Sequence, residues 1–158
     1  MQWRELGSFA PRTPWGRPGW ALCPNIVDRH SPDAAAGAVV ALNYTIDTHT
    51  VHSWTEAARR AGPLLSPDYA GRLATAPSPA LDAQWSTWTA HHAYTAVQLR
   101  PAAEPHPPDT PTTAARAVNL TSTPYGRDGW RAAAEHYEVF VLLTRTDQGW
   151  SACNLLAR

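Results

Sequence analysis

Apolar residues recur at helical spacing up to about residue 90 and alternate with polar ones beyond it. Ser31-Pro32-Asp33 is a helix start: Ser can cap, Pro suits the first helical position, and Asp complements the positive end of the helix dipole. Ala35, Val39 and Leu42 follow at helical spacing and predict a helix to about Ile46. Ser53-Trp54-Thr55-Glu56 has capping-box form, in which a Ser oxygen and a Glu three residues on serve each other's backbone amides. The helix it opens carries Trp54, Ala57, Ala58 and Ala61 and closes at Gly62-Pro63. Ser66-Pro67-Asp68 repeats the start signal and predicts a short third helix over Tyr69 to Leu73. Trp85, Trp88 and His92, three and four apart, predict one face of a fourth helix ending near His91.

From Tyr94 the period becomes two. Tyr94 to Leu99 is rich in β-formers and predicts a strand to about Arg100. Five prolines between Pro101 and Pro111 make 102–112 a stiff, irregular loop. Ala115 to Thr123 predicts a strand with Val118 and Leu120 on one face and Ala117, Asn119 and Thr121 on the other. Tyr125 to Gly129 is turn chemistry. His136 to Arg145 is apolar on both faces near its middle, as a central strand would be. Asp147-Gln148-Gly149 then turns the chain into a last strand over Trp150 to Leu156. The expected fold is α+β: three to four short helices on a curved, cone-like antiparallel sheet of about four strands, in one domain over 31–158. Residues 1–30 read as an irregular arm, since Gly and Pro interrupt every window around Trp3, Trp15 and Trp20.

Composition narrows the function classes. A length of 158 residues with 44% hydrophobic positions suits one folded domain. The 13 basic and 13 acidic residues cancel, every basic one is Arg, and no Arg cluster is denser than Arg59-Arg60. Direct nucleic-acid binding, which needs clustered positive charge, is therefore not expected. The Ala-, Arg- and Pro-rich, Lys-free composition has the look of a GC-rich genome. No apolar run approaches the roughly 20 residues that span a bilayer, so membrane contact is expected only if an anchor precedes this sequence. Cys23 and Cys153 leave two readings open. They form a disulfide tying the arm to the last strand, worth about 4 kcal/mol for so long a loop, or they are two separate thiols.

Candidate chemistry is sparse. His49 with His52 and the adjacent His91-His92 attract attention, but neighbouring residues diverge on a helix or strand, so no metal is expected. No cofactor motif, phosphate loop or nucleophile elbow occurs, and no catalytic residues are assigned. Acid–base candidates are Asp47, Glu56, His92, His136 and Glu138. If the domain were an enzyme, His92, Tyr94, Glu138 and Asp47 would line its pocket. Trp54, Trp85, Trp88 and Trp150 stand where helices meet the sheet and predict core packing. Trp3, Trp15, Trp20 and Trp130 stand among Gly and Pro and are candidate interface anchors.

The order of short motifs carries a resemblance. It runs from Ser31-Pro32-Asp33 with the Ala-rich stretch to Asn43, through Trp54, Pro63 to Pro67 and Leu73, to Trp85 and Trp88. It continues through Pro107-Pro108-Asp109-Thr110, Asp128-Gly129-Trp130 and Val139 to Arg145, and ends at Gly149-Trp150. This order resembles the nuclear-transport-factor-2-like superfamily of cone-shaped domains. More narrowly, it resembles small actinobacterial scaffold domains of conjugation and type IV secretion channels. The resemblance implies a non-enzymatic assembly domain, outside the cytoplasm and membrane-associated, that contacts other transfer-apparatus proteins and forms homo-oligomers. Two other readings stand beside it: a small-molecule-binding or isomerase-like enzyme using the cone interior, and a cytoplasmic accessory protein of a mobile element.

Overall fold

The computed structural model describes residues 27–158; Trp3, Trp15, Trp20 and Cys23 lie outside them. Four helices, α1 (Pro32–Tyr44), α2 (Trp54–Arg59), α3 (Pro67–Thr75) and α4 (Ala83–Ala90), precede four strands. A 3₁₀ turn, Gly62–Leu64, links α2 to α3. The strands β1 (Tyr94–Pro101), β2 (Thr113–Tyr125), β3 (Glu135–Thr146) and β4 (Gly149–Ala157) form one antiparallel sheet in sequence order. This is the α+β class that the change of period predicts, with β3 inside the sheet.

The start signals work as cap chemistry requires. Ser31, Ser53 and Ser66 each accept a bond from the amide three residues on, and Asp82 does so for α4. Glu56 reaches back past its partner: its carboxylate accepts from the amide of His52 at 2.7 Å rather than from Ser53. Arg59 and Arg60 close two different helices. Arg59 donates to the carbonyls of Leu73 and Ala76, and Arg60 to those of Leu42 and Thr45, which supplies orphan carbonyls with donors.

Helix α1 is apolar all round and buried from Ala34 to Leu42, as a central helix must be. Its small side chains lie against one face of the sheet, where Val97, Leu99, Val118, Leu120, Val139, Val141 and Leu143 form the main core. A second cluster of Ile46, Val51, Ala57, Trp85, Trp88 and Ala93 packs at the other end, with Trp54 and Trp130 against it.

Three boundaries differ from expectation for identifiable reasons. Helix α1 stops at Tyr44, not Ile46, because the chain turns to meet β1: the Ile46 amide donates to Thr95 Oγ1, and the Thr95 amide to the Ile46 carbonyl. Helix α4 stops at Ala90, so His92 does not share a face with Trp85 and Trp88. His92 takes φ +50°, its amide bonds back to Thr89 and that of Ala93 to Trp88, a Schellman closure with His where Gly is usual. Strand β2 runs through Pro124, since Thr95↔Pro124 and Tyr94↔Tyr125 still pair at its end.

Residues 27–30 already belong to the folded body. Val27 is buried in the main core, and Arg29 donates to the carbonyl of Pro63 and to the Ser151 hydroxyl. The Trp150 amide bonds the Arg29 carbonyl at 2.8 Å. Gly149 permits this approach: its φ is +106°, and a Cβ there would meet the Arg29 oxygen at 2.5 Å.

Candidate functional site

Asp47, His92 and Tyr94 come together, but around an arginine. Asp47 and Tyr94 face each other across a bridge between the α1–α2 turn and β1. Arg127, from the β2–β3 turn, pairs with Asp47 at 2.8 Å, donates to the His92 carbonyl and lies over the Tyr94 ring. The second Asp47 oxygen accepts from the amide of His49. Both oxygens of this buried carboxylate are thus engaged, and the cluster fastens one turn to another. Glu138 does not join it. It shares a sheet face with Tyr94 but lies two strands away, opposite Asn119, six residues along β2 from the partner of Tyr94, and is bonded to Arg158. His136, also on that face, bonds the Thr121 hydroxyl, and Glu56 holds the start of α2.

The other residues singled out from sequence also serve packing. The Trp130 ring lies parallel to that of His91 at 4.6 Å, and His91 Nδ1 is 2.7 Å from an Asp128 oxygen. The His91 bond holds the Asp128 carboxyl below its usual range, with the Trp130 amide adding to the effect. The Cys153 thiol donates to the Leu142 carbonyl. Among the described residues no three His, Cys, Asp or Glu side chains converge as a metal site. No helix among them is long and apolar enough to cross a membrane.

Two residues that the sequence reading passed over organise more of the molecule. Arg116 is buried on the inner face of β2. It pairs with Asp33 at the start of α1 and, through two 2.8 Å bonds, with Asp109 of the Pro-rich loop. The Ser31-Pro32-Asp33 and Pro107-Pro108-Asp109 motifs therefore meet on one guanidinium. Its bonds hold Asp109 below the usual carboxylate range. Arg116 was hidden because a charged residue amid strand alternation reads as solvent-facing.

The second is Glu135, the first residue of β3. It borders a cavity of about 250 Å³ walled by Tyr44, Trp54, Trp88 and Tyr137. One carboxylate oxygen accepts from Gln84 Nε2 at 2.5 Å and the other from the Tyr137 hydroxyl at 3.1 Å. Burial, together with the charge of Glu135, pushes the Tyr137 hydroxyl up to about 12. It stays a donor throughout the physiological range. Glu135, Tyr137 and Val139 share the inner face of β3, so alternation started one residue earlier would have found it.

The outer face of the sheet is the remaining candidate surface. Leu142 and Leu156 are 47% and 66% exposed, two of the three large apolar side chains so exposed among the described residues. Phe140 pairs across the ladder with Leu156 and lies one pleat from Leu142, so the three make one strip. The Arg158 guanidinium covers part of the Phe140 ring and pairs with Glu138 and Glu104 at the strip's edge.

In comparisons with known proteins, no family model, curated protein or solved structure matches this chain.

Proposed function

We propose that this is a non-enzymatic assembly domain of a conjugative DNA-transfer apparatus, working outside the cytoplasmic membrane through protein–protein contacts. The observation that carries the reading is the strip of exposed Leu142 and Leu156 with half-buried Phe140, on the sheet face that none of the described helices covers. Large apolar side chains left in water next to one another are characteristic of contact surfaces. The occupant we assign is a second copy of the chain. Arg158 and two carboxylates rim the strip, so a two-fold pairing sets positive against negative charge. The formal net charge of zero adds no mutual repulsion. The motif order described from the sequence supports the wider setting. So does the use of its charged residues: Asp33, Asp109 and Asp128 each hold one segment to another.

Sedimentation over roughly 1 to 500 μM, the range of weak association, tests the contact. The wild type self-associates with concentration, and the Leu142→Glu/Leu156→Glu variant stays monomeric with unchanged circular dichroism. A wild type that is monomeric throughout removes the proposed contact. In a host carrying the element, loss of the gene should abolish DNA transfer, and the double variant should fail to restore it. Full restoration by that variant overturns the strip's role.

A further inference from the structure

The cavity beside Glu135 is built differently from the rest of the interior. Four aromatic residues from three helices and a strand border it: Tyr44 of α1, Trp54 of α2, Trp88 of α4 and Tyr137 of β3. Glu135 is the one charged side chain among its described lining residues. The main core has no such feature, since branched aliphatic side chains meet α1 directly there.

The ligand chemistry follows from what the walls offer. An anion would enter against a carboxylate with no lining cation to offset it. A neutral apolar molecule would bury Glu135 without a counter-charge, which is unfavourable. Aromatic rings attract positive charge through their negative faces, and more strongly once water is excluded. Gln84 and Tyr137 occupy one lone pair on each Glu135 oxygen and leave acceptor capacity on both. The same two bonds hold the carboxylate in place before a ligand arrives. The Tyr44 hydroxyl is pushed up, mainly by burial, so it adds no second negative charge.

We infer that this cavity is a binding site for a small organic cation, an alkylammonium ion, held between the aromatic walls and the Glu135 carboxylate. The ions that fit have well under 250 Å³ of volume, which admits a trimethylammonium group with a short tail. Binding would tie together α1, α2, α4 and β3, all of which border the cavity.

Choline and its uncharged carbon isostere, 3,3-dimethylbutan-1-ol, make the decisive pair of probes, since they share shape and differ in charge. Isothermal titration of the full chain should show choline binding about tenfold or more tightly than the isostere, the factor a desolvated cation–aromatic contact supplies. Nuclear Overhauser contacts from the choline methyls should reach the ring protons of Tyr44, Trp88 and Tyr137. Glu135→Gln keeps the shape and removes the charge, and should erase the preference for choline. The inference is overturned if choline gives no binding, if the isostere binds as well, or if the methyl contacts fall elsewhere. It is overturned equally if Glu135→Gln folds and keeps the preference. Should that variant fail to fold, the wild-type comparison of the two probes decides alone. Self-association through the outer strip is measured separately, so either proposal can fail without the other.

Discussion

The two ends of the inner sheet face are packed by different means. Against α1, Ala, Val and Leu side chains meet strands whose inner positions are mostly aliphatic, and the buried Arg116 there is paired with Asp33 and Asp109. At the other end, Trp54 sets its ring edge-on to both Trp85 and Trp88, with centroids 4.7 and 5.2 Å apart. Small branched side chains interdigitate to close packing, whereas rigid flat rings leave spaces between them. Indoles also bring an N–H that needs a partner, and Trp54 gives its own to Asp82. Polar chemistry therefore collects where the tryptophans are: Glu135, the Asp47–Arg127 pair and the His91–Asp128 pair all lie towards that end. The aliphatic end is closely packed, and the aromatic end holds a cavity that combines rings with a carboxylate.

That contrast can be broken by substitution. Leu143→Ala removes a fully buried side chain from close-packed surroundings and should cost about 3 kcal/mol in urea unfolding. Trp130→Ala, half-buried against the aromatic cluster, should cost about 1.5 kcal/mol despite the larger side chain. If the two costs are equal, the ends are not packed differently. A smaller effect of opposite sign is expected at His92. Its left-handed backbone disfavours a side chain, so His92→Gly should raise stability by about 1 kcal/mol. A destabilised variant would mean that the ring contact between His49 and His92 outweighs the backbone term.

The smallest effect at neutral pH concerns Asp109, which is more than a third exposed. Its folded pKa lies below the unfolded one, near 3.9, because of Arg116. Its contribution is therefore present above that value and is lost as pH falls through the lower folded value. Asp109→Asn should leave neutral stability nearly unchanged and flatten the acid limb followed by circular dichroism. An unaltered acid limb would assign that loss to other carboxylates.

Much of the fold was legible because its signals are local. Ser-Pro-Asp twice, Ser53 and the alternation in β3 act within a few residues, and each element they predict is present. Of the four tryptophans expected in the core from their places between helix and strand, Trp85, Trp88 and Trp150 are buried and Trp54 is half-buried against the first two. The candidate sites were less legible. His92 looked like a helix-face residue until the chain turned left-handed after Ala90, and Glu138 and Asp47 proved to lie at separate places, one on β3 and one beside the start of β1. Which residues meet depends on strand order and register, and neither is a property of neighbours along the chain.

The sequence by itself determined the helices-first, sheet-last order, because capping, turn residues and periodicity are properties of neighbours along the chain. Only the tertiary structure decided which charged residues meet and where a cavity remains. Asp33, Asp109 and Arg116 are 76 and 7 residues apart in turn along the chain and join through packing alone. Glu135 gained its aromatic walls from three helices laid across the end of β3. Contacts between distant segments arise from how the faces dock, and no local pattern encodes that.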